Sequence, residues 1–355
     1  MNEFWHKLLQ DKFAKISLIV LVVLYLVIIL ANFIAPYSNT YSNREMSYAP
    51  PSQIYTITTE HKLSRPYTYN YIREYDDDLM QTVYKQDRTK KYYLSLFVKA
   101  ETYKILGIIP CSYHLFGTND GGNLYLLGTD INGRDVFSRL LFGGRISLTV
   151  GFLALLIVFP VGLIYGGVSG YFGGFLDTIM MRFAEAIMAI PSFYLLIILA
   201  AILPSGMTSI QRFSLIVVIL ALIGWAGFAR VVRGMVLSIK NEEFVLAEKT
   251  LGASNLRIII RHILPQTASY VIIAMTLSVP SYILSESGLS FLGLGIQQPD
   301  ASWGNMLKEA QEFTNILYRP WLLAPGGLIF ISVLAFNILG DAIRDILDPK
   351  SQKRI

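Results

Sequence analysis

A single cysteine, Cys111, and only four histidines stand in 355 residues. One thiol cannot close an intrachain disulfide, and His6, His61, His114 and His262 lie in separate segments, so no metal-ligand spacing emerges. Charge is scarce too: 15% of residues are Asp, Glu, Lys or Arg, against about 25% in an average soluble domain. The chain has no GxxxxGK[ST] run to cradle nucleotide phosphates, and no Ser/His/Asp arrangement with local support. These absences exclude a disulfide-stapled domain and a zinc module, and they leave no catalytic residue to name. The 30 Lys and Arg exceed the 25 Asp and Glu by five, which could suggest nucleic acid. No basic stripe is free of apolar runs, however, and cations in the inner loops of a membrane protein account for the excess.

What abounds is apolar: 53% of residues are hydrophobic. Ile16 to Ile34 is an uncharged run behind Lys7, Lys12 and Lys15. It is longer than the apolar core of a signal peptide, about 7 to 15 residues, and Asn32-Phe33-Ile34 makes a poor cleavage site. It reads as a retained first span with the amino terminus inside. Further spans are expected near 147–169, 176–203, 213–237, 268–292 and 322–341, each close to the length a helix needs to cross about 30 Å. The fold class is therefore an all-α polytopic membrane protein with about six transmembrane helices. Both termini then face the cytoplasm, in keeping with Lys350, Lys353 and Arg354. Gly162, Gly166, Gly167, Gly224, Ala226 and Gly227 permit close helix approach.

Between Pro36 and about Leu127 the character changes to tyrosine, threonine and mixed charge. Alternation from Gln53 to Thr58 predicts short strands, so an external insert of mixed α/β character is expected over 37–126. Asp76, Asp77 and Asp78 read as a helix cap or solvated turn, with a calcium site a weaker alternative because no glycine-punctuated loop follows. Leu127 to Leu148 reads as an amphipathic interfacial helix in which Arg134, Asp135, Arg139 and Arg145 pair locally.

The polar stretch Asn241 to Gln266 is too charged to span a bilayer, yet it separates two apolar segments. It reads as two short helices broken at Gly252. Asn241 is the expected N-cap of the first, with Glu242 and Glu243 at the positive end of the dipole. Phe244, Ala247 and Leu251 share one face, and Leu256, Ile259, Ile260 and Ile263 make the apolar face of the second. Ser254 or Asn255 caps that second helix, and Pro265 ends or kinks it. Lys249, Arg257 and Arg261 put the loop inside. Its apolar faces need a partner: lipid, for a connector lying on the membrane surface, or another protein.

Charged groups within spans are expensive and so informative. Arg182 and Glu185, three apart, read as a structural ion pair, with a proton relay the sharper alternative. Asp341 with Arg344, or Asp345 with Arg344, would lock the end of the last span. Glu286 follows Pro280 and precedes Gly288, Gly293 and Gly295, which predicts a broken helix end. Ser285, Glu286 and Ser287 are accordingly the candidates for lining a translocation path. Asp300 to Arg319 reads as an outer amphipathic helix with a stripe of Trp303, Met306, Leu307, Ala310 and Phe313; Trp303 and Trp321 would sit at headgroup level.

The spacing of Gly252, Leu264 and Pro265 resembles the cytoplasmic Glu-Ala-Ala loop of binding-protein-dependent ABC importer permeases. Leu246, Ala247 and Glu248 occupy the eponymous positions, where only Ala247 fits, and His262 replaces an aliphatic residue. LGTDINGRDVFSRLLFGGRISL, ESGLSFLGLGIQQPDASWGNML and FNILGDAIRDILDPK are similar to the second permease subunit of dipeptide, oligopeptide and nickel importers. The similarity is loose over 1–36 and close over about 127–350. ILGIIP and HLFG are similar to a long-loop subset handling larger peptides. The resemblance implies a first span over 1–36, the insert over 37–126, and a five-helix permease core over 127–355 with coupling loop 241–265. In that loop Glu243, Phe244, Ala247, Glu248, Leu251, Gly252, Ala253, Leu264 and Pro265 would meet the motor. It further implies an inner-membrane importer of oligopeptides or peptide-like solutes. Its partners would be a second permease, two ABC ATPase subunits, an outer substrate-binding protein, the peptide and membrane lipid, with no nucleic acid. ATP and Mg would bind the ATPases, leaving this chain without cofactor or enzymatic activity. The alternative is a secondary transporter or channel subunit driven by an ion gradient, for which inverted repeats and midplane charges would be expected and are not evident.

Overall fold

The computed structural model describes residues 2–57, 63–77, 81–105, 109–119, 121–204 and 206–347. Thr58, His61, Asp78, residues 106–108 of ILGIIP, Lys350, Lys353 and Arg354, all used above, lie outside the described residues. The chain opens with helices α1 (Asn2–Gln10), α2 (Lys12–Ile29) and α3 (Ala31–Ile34). Strands β1 (Tyr55–Ile57), β2 (Leu63–Asp76), β3 (Gln81–Ile105) and β4 (Ile109–Thr118) follow. Then come α4 (Val136–Phe172), α5 (Gly174–Met188), α6 (Ser192–Ala201), α7 (Ser209–Ile239), α8 (Glu243–Thr250) and α9 (Asn255–Ile258). The chain continues as α10 (Ala268–Phe291), α11 (Trp303–Leu307), α12 (Phe313–Tyr318) and α13 (Ala324–Leu347).

Among the described residues, five helical stretches are long and apolar enough to cross a membrane, or six if α5 and α6 count as one. The third expected span is not a straight helix over 176–203. α5 and α6 meet at 77° around Ala189–Pro191. Pro191 explains the break, because it has no N–H to donate and disfavours helical backbone at Ile190. The first span is displaced toward the amino terminus, covering Lys12–Ile29 instead of the expected 16–34.

Two compact units divide the chain. The helical unit holds Met1–Leu21, Leu148–Leu289 and Phe330–Ile355. Its helices approach through glycine. A Cβ on Gly166 would lie 2.3 Å from the Ala229 carbonyl oxygen, and one on Gly170 2.8 Å from that of Arg233. Gly162 faces Trp225 and Phe228 on the same helix, α7. The four-residue spacing of Gly162, Gly166 and Gly170 on α4 therefore cuts a groove into which α7 sinks.

The second unit, called outer after the side expected for its insert, holds Val22–Ser147 and Ser290–Ile329, so the expected boundary at 126–127 falls inside it. Among the described residues the insert holds a four-stranded antiparallel sheet in the order β1-β2-β3-β4, with a 3-10 turn at Arg44–Met46. Its strands run longer than the sequence alternation suggests, 25 residues in β3. Asp76 ends β2 and Asp77 stands in a turn, so for these two residues the solvated-turn reading holds rather than the helix cap. Tyrosines build the interior. Tyr37 stacks on Tyr41 at 4.4 Å and on Tyr125 at 5.6 Å, while Tyr71 donates to the Pro51 carbonyl at 2.9 Å. Rings that bury area and keep a hydroxyl bonded suit a small core facing water.

Asp300 to Arg319 is not one helix. α11 passes into a 3-10 turn, and Glu312 has extended backbone (ψ 127°) before α12 begins. Phe313 is thereby turned out and 78% exposed, whereas Trp303 is fully buried and donates Nε1–H to the Leu140 carbonyl at 2.9 Å. Trp303 is a core residue rather than a headgroup anchor. Trp321 is half-buried, its indole N–H given to the Thr129 carbonyl at 3.1 Å.

Candidate functional site

Residues 241–265 of the helical unit form an elbow. α8 starts at Glu243 with Glu242 in the N-cap position, one residue later than expected, and no side chain caps it. After Leu251 the chain reverses at Gly252, whose φ of +80° suits a residue without Cβ. Gly252 N–H bonds to the Lys249 carbonyl and Ala253 N–H to that of Glu248, a Schellman closure that satisfies the last carbonyls of α8. Ser254 then holds the N-cap position of α9 without a side-chain bond, and Asn255 is free of capping because its Oδ1 accepts from the Tyr171 hydroxyl at 2.8 Å.

Pro265 does not end the second arm. The helix widens to a π turn over Ile259–Ile263, in which Leu264 N–H reaches back to the Ile259 carbonyl, then tightens to 3-10 over Leu264–Thr267 and runs on as α10. Pro265 cannot donate to Arg261, so the pitch changes where that bond is missing.

Burial divides the apolar residues in a way the sequence did not. Val245, Ile258, Ile259 and Ile263 turn inward, with Ile259 and Leu264 against Gly167. Ile259 and Ile263 are therefore internal packing, not part of a face offered outward. Leu251 is 82% and Leu256 64% exposed, and Phe244, Leu246, Ala247 and Ile260 are exposed beside them. Glu243 is exposed as well; Glu248 is half-buried, its Oε2 3.6 Å from His262 Nε2 across the elbow. Polar contacts tie the base of the elbow to the helices. Lys240 Nζ donates to the Gly170 carbonyl at 3.0 Å, neutralising the negative end of α4. Arg233 forks onto Asp177 at 2.6 and 2.5 Å, and Ser169 also donates to that carboxylate. This Asp177–Arg233 pair joins residues 56 apart on α5 and α7, so no local sequence pattern marks it.

A cleft of about 290 Å³ opens where α5 and α6 bend apart, beside α7 and α10. Ser278, Ser281, Tyr282 and Ser285 line it along α10, facing Gly224 and Gly227. The serine and tyrosine spacing is helical and was readable; the expected path instead centred on Glu286. Of that trio only Ser285 reaches the cleft. Glu286 and Ser287 are buried on another face of α10, which stays helical through Phe291 and breaks only at Gly293, φ +79°.

The expected ion pairs also separate. Arg182 Nη1 and Glu185 Oε2 stand 2.9 Å apart on an exposed face of α5. Among the described residues no ion pair joins Asp341 with Arg344; both are exposed, where pairing two mobile chains brings little. In the outer unit, most of residues 127–147 are buried instead of interfacial, with Ile131 and Asn132 left exposed. Asp130 holds Arg134 at 2.6 Å and lies 3.6 Å from Arg139, and both arginines also donate to Gln298. Asp135 accepts from Ser138 N–H at 2.7 Å as the cap of α4, and Arg145 donates to the carbonyls of Ile28 and Ile29 at the end of α2. Glu309 accepts from Ile131 N–H, and burial, reinforced by the charge of Asp130, pushes its carboxyl up to about 7.

Several apolar spans, a hydroxyl-lined cleft and an exposed helical elbow fit a membrane permease. The chain belongs to the family described as the inner membrane component of binding-protein-dependent transport systems, whose model matches residues 129–353. A second model, the N-terminal transmembrane domain of oligopeptide transport permease C, matches residues 1–51. A dipeptide transport system permease protein of Bacillus subtilis is 49% identical over 228 residues, 64% of this chain and 69% of the relative. An oligopeptide transport system permease protein of the same organism is 43% identical over 227 residues, covering 64% and 72%. A nickel transport system permease protein of Escherichia coli is 40% identical over 225 residues, covering 63% and 78%.

Proposed function

We propose that this chain is one of two permease subunits in an ATP-driven importer of oligopeptides or peptide-like solutes, oriented with both termini in the cytoplasm. The elbow at 241–265 is the handle for an ATPase partner, which binds ATP and Mg; this chain binds no cofactor of its own. The observation that carries the reading is the exposed apolar face of Phe244, Ala247, Leu251 and Leu256, presented on an elbow braced from behind. Left in water, each large side chain there forgoes about 1.5–3 kcal/mol of burial, which a docked partner recovers. Closure of the ATPases would move the elbow, and the wide π turn before Pro265 passes that motion into α10, one wall of the serine-lined cleft. Transport then alternates between two packings biased by nucleotide and by a binding protein docked on the insert. Oligopeptide as substrate follows the dipeptide and oligopeptide relatives in preference to the nickel permease, on the higher identities.

The test is a double substitution, Phe244→Asp with Leu251→Asp. Both residues are exposed, so membrane insertion and thermal stability should stay within about 0.5 kcal/mol of the parent. Co-purification of ATPase subunits and peptide uptake should be lost. Retention of both would remove the elbow as the coupling element.

A further inference from the structure

The outer unit contains an open cleft of about 500 Å³, within the range of small-molecule sites. One wall is a face of the β2–β3 hairpin. Arg73 stands opposite Tyr84 and Tyr75 opposite Thr82 in the antiparallel register, and residues two apart on a strand share a face. The other wall is Trp321, Arg319 and Tyr48. No carboxylate is among the lining residues, and among the described residues Arg73 forms no ion pair.

The far wall is held in place before any ligand arrives. Arg319 lies over the Tyr48 ring at 3.8 Å and donates to Asn315, itself buried and bonded to the Glu309 carbonyl at 2.7 Å. Tyr48 has φ +59°, an unusual conformation for a bulky residue, and its N–H bonds to the Asp130 carbonyl at 3.0 Å. Trp321 is wedged against Gly128, where an added Cβ would come within 3.0 Å of the indole. On the hairpin side the Tyr84 hydroxyl donates to the Ser47 carbonyl at 2.5 Å and feels the charge of both Arg73 and Arg319.

We propose that this cleft is a binding site for a carboxylate that carries an aromatic or other planar group next to it. The guanidinium groups of Arg73 and Arg319 receive the carboxylate, with the fork geometry that suits its two oxygens. The rings of Tyr75, Tyr84 and Trp321 receive the planar group. The site belongs to the outer unit and shares no residue with the serine-lined cleft or the elbow, so it holds whether or not the importer reading does.

The experiment is titration calorimetry on the full-length chain in lipid nanodiscs, with N-acetylphenylalanine as probe. Saturable binding is expected, weakened at least tenfold by each of three changes: the probe's amide, N-acetylalanine, and the variant Arg73→Gln. Arg73 and Tyr75 are exposed, so Arg73→Gln and a second variant, Tyr75→Ala, should melt like the parent while binding less. Equal affinity for acid and amide would overturn the proposal. So would equal competition by inorganic phosphate, which would leave a plain anion site, or undiminished binding by both variants.

Discussion

The helical unit and the outer unit hold together by opposite means. Between α4 and α7 cohesion comes from the absence of side chains: Gly162, Gly166 and Gly170 bring backbone against backbone. In the outer unit it comes from large side chains with polar ends, stacked tyrosines and buried arginines bonded to Asp130 and Gln298. The difference follows from the solvent. Lipid exerts no hydrophobic pressure between two apolar helices, so van der Waals approach must do the work. Facing water, burial of ring area is favourable, and the charged groups drawn in with it must be matched.

The largest test of that contrast is Asp130→Ala. It leaves the buried guanidiniums of Arg134 and Arg139 without a counter-charge and should destabilise the outer unit by about 3–5 kcal/mol in thermal unfolding. A loss under about 1 kcal/mol would mean that Gln298 and the Pro299 carbonyl, which also bond these arginines, suffice. Next comes Gly166→Leu against Gly234→Ala. The first drives a side chain into the Ala229 carbonyl, with a cost of about 1–3 kcal/mol or more, while a Cβ at Gly234 meets nothing within 4 Å. Equal melting of the two variants would refute the glycine groove. The smallest effect is a pH dependence centred on Glu309. Its carboxyl titrates near 7 in the folded chain, well above an unfolded glutamate, so the folded state holds the extra proton between. Stability from this group is present at acid pH and is lost as pH rises through about 7. The parent should therefore be more stable at pH 5 than at pH 8, by on the order of 2 kcal/mol, and Glu309→Gln should remove that difference. A variant that keeps the full slope would shift the effect to another group.

Much of the candidate site was legible along the chain. Gly252 announced the reversal because few other residues enter that conformation easily, and the apolar runs announced the spans by length. What local pattern could not reveal was direction. Helical spacing grouped Ile259 and Ile263 with Leu256 and Ile260, yet two of the four turn inward, Ile259 against Gly167 on α4. Glu286 drew attention as a costly charge, but the rotation of α10 puts Ser278, Ser281 and Ser285 on the cleft instead. The relation of Asp130 to Gln298 spans well over a hundred residues and leaves no periodic trace at all.

The permease reading came from resemblance to a known family; by itself the sequence determined a polytopic helical chain with a glycine-hinged elbow and a tyrosine-rich insert. Those properties depend on composition, run length and backbone permissiveness, all of which are local. Only the tertiary structure decided which apolar residues face outward, where α5 and α6 part, and which arginines share Asp130. Each of these depends on what a distant segment places alongside, and on the cost of leaving a charge or a backbone group there without a partner.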